Sequence, residues 1–189
     1  MHQPNHIFDS LLITEYIAGN KKAITVLVTR WHPIFCRQAN WYIKDKAVAQ
    51  DVAQECWVII LKKIGSLKDT QKFAPWALTI VHRRAIDQIR KNKKTETHTS
   101  NEMIEQAVDT STSQTEAIQS TQGKLQLING GIAQLPLKHR IVIELFYKNQ
   151  LSLDQIASVL DVSKGTVKSR LFYAREALKG LLKNKNYEN

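Results

Sequence analysis

The sequence predicts an all-α protein of two small helical domains joined by a flexible linker. Apolar residues recur three and four residues apart through most of the 189-residue chain, as in amphipathic helices. Seven Gly and four Pro are too few for a turn-rich all-β protein. A polar stretch also divides the chain into two segments, and a hydrophobic content of 43% is enough to give each segment a core.

The predicted linker covers residues 95–123. This stretch contains eleven Ser or Thr, five acidic residues and no Lys or Arg. Such a composition buries too little apolar surface to offset the entropy lost on ordering. We therefore expect domains at residues 1–94 and 124–189, with a short helical turn at residues 101–108 inside the linker.

Composition excludes several functional classes. The net charge of +10 favours a polyanionic partner. The two cysteines, Cys36 and Cys56, form no CxxC motif, so neither a metal site nor a disulfide framework is expected. Apolar runs are short and no signal peptide is visible, which predicts a cytoplasmic protein without membrane insertion. No phosphate-binding glycine loop, metal-ligand spacing or nucleophile motif is present, so we expect neither an enzyme nor a cofactor.

The first domain opens with helical patterns on either side of a turn at residues 18–20. The apolar residues that recur there at broken helical spacing are Leu11, Ile17, Ala23, Leu27, Ile34 and Phe35. A second pattern over residues 47–64 is apolar on most sides and leaves one narrow polar stripe. Asp51, Gln54 and Glu55 belong to this stripe, which is either a partner surface or an ordinary solvated helix edge.

A third helical pattern, over residues 73–94, has two distinct faces. Ala74, Ala77, Leu78, Val81, Ala85 and Ile89 form its core stripe, and His82 falls on the same side. On the opposite face Trp76, Arg83 and Arg90 recur every seven residues. Arginines in line with an aromatic ring suit phosphate contact and base stacking. The alternative is a Trp76 ring packed in a crevice between helices.

The second domain contains a predicted helix-turn-helix. Ser152 and Gln155 form a capping box at the start of one short helix, and Ser163 is placed to cap the next. Seven basic residues and one acid follow between residues 163 and 185. About four residues join the two helices, which is typical of a DNA-binding helix-turn-helix. A plain helical hairpin is the alternative.

These segments together resemble a known family. The sequences AGNKKA (18–23), AVAQDVAQECW (47–57), FAPWALTIVHRRAIDQIRK (73–91) and LSLDQIASVLDVSKGTVKSRLFYAREAL (151–178) are similar to the sigma-70 family. The chain looks like its short extracytoplasmic-function (ECF) group, which keeps regions 2 and 4. The resemblance implies a region 2 helical bundle at 1–94 and a region 4 helix-turn-helix at 124–189.

The resemblance also implies roles for single residues. Asp51, Gln54 and Glu55 match the stripe that binds core RNA polymerase in the family. The residues matching the minus-ten recognition and melting surface are Lys72, Phe73, Trp76, Arg83 and Arg90. The residues matching the minus-thirty-five surface are Ser163, Lys164, Thr166, Lys168, Ser169, Phe172 and Arg175.

The implied function is that of a sigma factor, which directs core RNA polymerase to promoter DNA and starts transcription. The family further implies an anti-sigma factor as a regulatory partner. A stand-alone helix-turn-helix regulator is the alternative, although it would leave the stripe of Asp51 and the face of Trp76 without a role. The chain departs from the family at Asp161, where Gly is usual, and at Gly130-Gly131, which we expect to interrupt a helix.

Overall fold

The structure is a computed structural model that describes residues 6–96 and 121–187. Within these residues the chain is helical and contains no strand, which confirms the predicted all-α class. The first bundle consists of α1 (His6–Ile17), α2 (Lys21–Ile43), α3 (Lys46–Lys63) and α4 (Phe73–Glu96). The second consists of α5 (Thr121–Gln134), α6 (Leu137–Ile143), a π-helical segment (Glu144–Lys148), α7 (Leu153–Leu160) and α8 (Lys164–Tyr187).

Aromatic rings form the centre of the first bundle. Trp31 meets Phe73 edge-on at a centroid distance of 5.4 Å. The ring centroids of Phe35 and Trp57 of α3 are 5.0 Å apart. Because pairs of this kind add to the burial of large apolar surfaces, they fix α2 against α3 and α4.

The core face of α1 does not include two of the apolar residues in this spacing. Leu11 and Ile17 are 54% and 51% exposed, whereas Leu12 and Ile13 are buried. The helix is rotated so that Asp9 is also buried, where it pairs with Arg30 of α2 at 3.0 Å. A buried carboxylate requires a partner, so this ion pair holds the rotation that carries Leu11 outward.

Local sequence signals set the starts of α2 and α3. The side chain of Asn20 accepts a hydrogen bond from the backbone nitrogen of Lys22 at 3.2 Å. Asp45 accepts two, from Ala47 at 2.8 Å and Val48 at 3.1 Å. These caps satisfy amide donors that have no partner inside the helix.

The helix-turn-helix is present as predicted. Ser152 and Gln155 form the full capping box of α7. The helix ends at Asp161, which adopts the left-handed conformation with φ of 53°, so Asp fills the place usual for Gly. Ser163 then caps α8 by accepting from the backbone nitrogen of Thr166 at 3.1 Å.

The expected interruption at Gly130-Gly131 is wrong, because α5 runs through both glycines. Gly131 is buried, and a Cβ placed there would lie 3.1 Å from Cδ2 of Leu178. The missing side chain therefore allows α8 to approach α5 closely. Sequence reasoning also missed the π-helical segment that follows α6.

The linker prediction falls mainly on residues outside the described part of the chain. At its edges, α4 continues to Glu96 and α5 begins at Thr121. The short helical turn expected at residues 101–108 lies outside the described residues. The domain boundaries therefore stay a prediction.

The two bundles pack directly against each other. Helices α2 and α4 of the first contact α6 and α7 of the second, and the buried apolar residues form one continuous cluster. None of the described helices is both long and apolar enough to cross a bilayer.

Candidate nucleic-acid interface and partner surface

The acidic stripe lies on the outer face of α3. Asp51 lies one helical turn before the adjacent residues Gln54 and Glu55, and all three are exposed. The opposite face of the helix is buried through Val52, Ala53, Cys56, Trp57 and Ile60. Since the core fixes the helix from behind, the stripe is a rigid surface presented to solvent.

Glu55 is not a free carboxylate within this stripe. It accepts a hydrogen bond from Nη2 of Arg84 on α4. The pair joins the acidic stripe to the next helix, and the sequence pattern did not reveal it because the residues belong to different helices. Asp51 lies one turn earlier and is exposed.

The thiol of Cys56 lies directly behind this surface. Burial raises its pKa to about 12, and the nearby Arg84 opposes part of the shift. A thiol in this state is protonated at neutral pH and is a poor nucleophile. Cys56 therefore acts as a core side chain beneath the stripe.

The predicted basic face of α4 is present, but its aromatic residue is partly packed against the core. Arg83 and Arg90 are exposed, as predicted. Trp76 is only partly buried, but its indole packs against the core and lies 6.1 Å from the ring of Phe73. The ring thus combines both interpretations offered by the sequence: one side supports the bundle while the rest faces solvent.

Phe73 must be removed from the predicted DNA-binding residues. It is 1% exposed and sits edge-on against Trp31. A base can stack only on a ring that solvent reaches, and this ring is part of the core. Its four-residue spacing from Ala77 and Val81 puts Phe73 on the core stripe of α4, whereas its assignment to the DNA-binding set came from the family resemblance.

The loop before α4 is held by short polar contacts. Asp69 accepts from the backbone nitrogen of Gln71 at 3.1 Å and pairs with Lys72 at 3.2 Å. Thr70 shares a hydrogen bond of 2.6 Å with Ser10 of α1. These contacts fix the loop against the bundle while the side chains of Lys68 and Lys72 stay exposed.

The helix-turn-helix presents its predicted face at the start of α8. Ser163, Lys164, Lys168, Ser169 and Phe172 are exposed, and Thr166 is half-buried. Several of these groups are engaged locally. Ser163 caps the helix, Ser169 donates to the carbonyl of Gly165 at 3.0 Å, and Lys164 pairs with Asp154 at 2.8 Å.

Arg175 is held within its own bundle. Its Nε donates to the hydroxyl of Tyr147 at 2.9 Å, and its guanidinium lies 5.7 Å from the ring centroids of both Phe146 and Tyr147. The resemblance places Arg175 on the minus-thirty-five surface, and the structure shows that its side chain also packs on the π-helical segment. Arg175 is nevertheless exposed, as are Lys168 and Phe172, and Phe172 is 59% exposed.

No cluster of three or more His, Cys, Asp or Glu side chains suited to a metal occurs in the described part of the chain. His82, which the sequence placed on the core side, is half-buried and shares a hydrogen bond with Tyr42 at 2.6 Å. This confirms that it is packed.

Comparison with known families assigns both bundles. The family Sigma-70 region 2 matches residues 27–95. The family Sigma-70, region 4 matches residues 131–180. The two matches cover the acidic stripe, the basic face of α4 and the helix-turn-helix.

Characterised relatives agree. The ECF RNA polymerase sigma factor SigW of Bacillus subtilis is 34% identical over 146 residues, which is 72% of this chain and 76% of the relative. The ECF RNA polymerase sigma-E factor of Escherichia coli K12 is 26% identical over 176 residues, 90% of this chain and 92% of that protein.

Solved structures show the same fold. The sigma factor RpoE of Bartonella quintana, in complex with the anti-sigma factor NepR, matches with a TM-score of 0.65 and 22% identity over 86% of this chain and 98% of that one. CnrH, in complex with the cytosolic domain of CnrY, matches with a TM-score of 0.59 and 20% identity over 94% and 98% of the two chains. Taken with the two region matches and the relatives above, these findings show that the chain belongs to the ECF group of the sigma-70 family of RNA polymerase sigma factors.

Proposed function

We propose that this ECF sigma factor divides its work among three surfaces. The acidic stripe of α3 (Asp51, Gln54 and Glu55) binds core RNA polymerase. The face of α4 with Lys72, Trp76, Arg83 and Arg90 binds and opens the minus-ten element. The start of α8, with Lys168 and Phe172, reads the minus-thirty-five duplex, while Ser163, Lys164, Thr166 and Ser169 shape that helix end and Arg175 positions it.

The observation that supports this proposal most is the separation of charge in the first bundle. An acidic stripe and a basic, aromatic-bearing face lie on neighbouring helices, joined by the Glu55–Arg84 pair. A protein that bound only DNA would repel it with an exposed acidic stripe. The stripe instead suits a separate, basic protein surface.

The two DNA-binding surfaces are each small. A single helix-turn-helix module or a short basic face buries too little area for tight specific binding alone. Polymerase would hold both at a fixed separation, so that binding at one element raises the effective concentration at the other. Phosphate contacts then supply affinity and salt dependence, and base contacts supply sequence choice.

The proposal includes a partner that covers these surfaces, namely an anti-sigma factor like the NepR bound to RpoE of Bartonella quintana. It assigns no catalytic residue and no cofactor to the chain, because the chemistry of RNA synthesis belongs to the polymerase. It places the protein in the cytoplasm, where the transcribed DNA lies. It also retains domains at 1–94 and 124–189 with a linker at 95–123.

The experiment that tests the proposal is a gel shift on promoter-bearing DNA, with and without core polymerase. We expect a specific complex only when both proteins are present. Tight, sequence-specific binding by the chain alone would instead indicate a stand-alone regulator. An abortive initiation assay on the same DNA then tests whether the complex starts transcription.

A further inference from the structure

The groups that hold the guanidinium of Arg175 are all neutral. Its Nε donates to the hydroxyl of Tyr147 at 2.9 Å, and its Cζ lies 5.7 Å from the ring centroids of both Phe146 and Tyr147. We call this arrangement, in which Phe146 and Tyr147 hold Arg175, the arginine cradle. The proposed function assigns no role to its two aromatic residues.

By contrast, carboxylates hold two of the lysines of α8. Lys164 pairs with Asp154 at 2.8 Å, and Lys179 pairs with Glu176 at 4.0 Å. A carboxylate fixes a cation but also neutralises it, whereas a hydroxyl and two ring faces fix the cation and leave its charge in place. Arg175 is exposed and forms no ion pair with any of the described residues. It is therefore both positioned and positively charged toward solvent.

The guanidinium also keeps hydrogen-bond donors for an outside partner. Arginine carries five N–H groups in a planar fork, and the tyrosine hydroxyl occupies the one on Nε. Within the described part of the chain, no other hydrogen bond involves this side chain, so the N–H groups of both Nη atoms are available. Such a fork matches the spacing of two phosphate oxygens and binds both at once.

The π-helical segment explains how two adjacent rings reach one arginine. Neighbouring side chains of an ordinary α-helix point about 100° apart and do not cover the same group. The segment Glu144–Lys148 has a wider turn, closed by a backbone hydrogen bond of 2.9 Å between residues five positions apart. Its rings at Phe146 and Tyr147 meet edge-on with centroids 5.0 Å apart, and both contact Arg175. Single turns of this kind are frequent at functional sites.

The cradle lies on the same stripe of α8 as the proposed reading residues. Lys168, Phe172 and Arg175 are spaced i, i+4 and i+7, which places them on one face, and all three are exposed. At about 1.5 Å per residue, Arg175 lies about 10 Å beyond Lys168 along the helix. The first turns of a recognition helix enter the major groove, which is about 12 Å wide. A side chain this far along the helix therefore reaches the edge of the groove, where the phosphates lie.

We propose that Tyr147, supported by Phe146, is a positioning residue that holds the Arg175 guanidinium for a backbone phosphate at the edge of the minus-thirty-five element. A phosphate contact adds affinity and fixes the register of the helix without selecting a base. The hydroxyl restricts the guanidinium before DNA arrives, which lowers the entropy lost on binding. This inference rests on the proposed function for the location of the element, whereas the phosphate contact itself can be measured on any duplex.

The test uses full-length variants that remove one component of the cradle at a time. Arg175→Gln removes the charge. Arg175→Lys keeps the charge but loses the Nε donor and the fork. Tyr147→Phe removes only the hydroxyl and keeps the ring. Tyr16→Phe, at a half-buried tyrosine of α1 in the first bundle, is the matched control.

Fluorescence anisotropy on a random-sequence duplex, between about 50 and 200 mM salt, gives the slope of log affinity against log salt concentration. We expect Arg175→Gln to reduce the magnitude of this slope by about 0.9 and to weaken binding about fivefold near 0.15 M salt, because one phosphate contact is lost. Tyr147→Phe and Arg175→Lys keep the charge, so they should keep the slope and weaken binding about two- to fivefold through lost positioning. Adding Tyr147→Phe to Arg175→Gln should have no further effect. Tyr16→Phe should bind as the wild type does.

Thermal melts and circular dichroism separate this role from a purely structural one. If Arg175→Gln lowers the melting temperature but leaves the salt slope unchanged, the cradle only ties α8 to the π-helical segment and the proposal is overturned. Wild-type affinity in Tyr147→Phe would also overturn it. Should Arg175→Gln lose helix content, Tyr147→Phe and Arg175→Lys decide, and the proposal then requires weaker binding by both at unchanged slope and helix content.

A footprint of promoter DNA with core polymerase distinguishes failure of this inference from failure of the proposed function. We expect Arg175→Gln to weaken protection of the minus-thirty-five region. If neither Arg175→Gln nor Lys168→Ala weakens that protection, the proposed function of α8 is wrong. The salt slope on the random duplex still shows in that case whether Arg175 contacts a phosphate.

Discussion

The hydroxyl of Tyr42 lies 2.6 Å from Nδ1 of His82, which ties α2 to α4 at the edge of the second bundle. Burial lowers the pKa of His82, and neighbouring Arg83 lowers it further, while Asp161 of the second bundle opposes both. Burial also raises the pKa of Tyr42, against the opposing charge of Arg170. Both side chains are therefore neutral at physiological pH, and charged residues of both bundles influence their pKa values.

Stability should fall as the pH is lowered below the ordinary histidine pKa of 6.5. The unfolded chain binds a proton at that pH, whereas folded His82 binds one only at a lower pH, so acid favours unfolding. Urea unfolding at pH 7.5 and at pH 5.5 measures the difference in the free energy of unfolding between these two pH values. The variant His82→Gln should show a smaller difference than the wild type.

His139 contributes to the same pH dependence, because burial, Lys138 and Arg170 lower its pKa as well. The variant His139→Gln therefore separates the two contributions. If the stability of His82→Gln depended on pH as much as that of the wild type, the contribution assigned to His82 would be wrong.

The acidic stripe and the helix-turn-helix should fail at different steps. Asp51→Lys reverses an exposed charge on α3 and should abolish binding to core polymerase in a pull-down. Lys168→Ala should leave that binding intact and weaken protection of the minus-thirty-five region in a footprint.

Glu55→Lys should resemble Asp51→Lys but also lower thermal stability, since it places a cation against Arg84. If Asp51→Lys and Lys168→Ala lose the same step, the division of labour is wrong.

Trp76 and Phe73 should separate opening from folding. Phe73→Ala removes a fully buried ring and should cost about 3–5 kcal/mol in the free energy of unfolding. Trp76→Ala removes a half-buried ring and should cost less, yet it should reduce strand opening, measured by permanganate reactivity of unpaired thymines. Normal opening by a folded Trp76→Ala variant would show that the indole serves packing only.

The capping box of α7 should contribute measurably to stability. Ser152→Ala removes the acceptor for the backbone nitrogen of Gln155, which lies at 3.2 Å, and should cost about 1 kcal/mol in chemical denaturation. Ser158→Ala, at an exposed position within α7, is the control and should be neutral or slightly stabilising. Equal effects at the two serines would argue against the cap.

The paired glycines of α5 should respond differently to alanine. A Cβ at Gly130 meets nothing within 4 Å, so Gly130→Ala should stabilise the fold by about 0.5–1 kcal/mol. At Gly131 the new Cβ lies 3.1 Å from Leu178, which must shift and thereby offset the gain. A thermal melt of the two variants tests this, and a larger gain at Gly131 would refute the close approach of α8.

The features that the sequence predicted are those with local signals. The capping box, the cap at Ser163 and the exposed stripe of α3 all depend on residues a few positions apart, so periodicity and cap chemistry reveal them. The rotation of α1 depends on packing between helices, and amphipathic spacing alone left it open.

The contact between the two bundles has no local signal in the sequence. Gln38 and Asn149 are 111 positions apart, and neither interrupts a pattern strongly enough to indicate a contact. A buried polar residue such as Glu144 does not fit the apolar face of its helix. Its burial makes sense only in the structure, where Arg37 of the first bundle pairs with it. Long-range pairing of this kind is decided by tertiary structure.

The burial of the Cys56 thiol behind the α3 stripe affects how readily this thiol reacts with oxidants. Oxidation begins with the thiolate, and a pKa of about 12 leaves almost none of Cys56 in that form. Burial also raises the pKa of Cys36, which suppresses its thiolate. The two thiols are therefore poor targets for oxidants such as peroxide, in contrast to the exposed, acidic thiols of redox sensors.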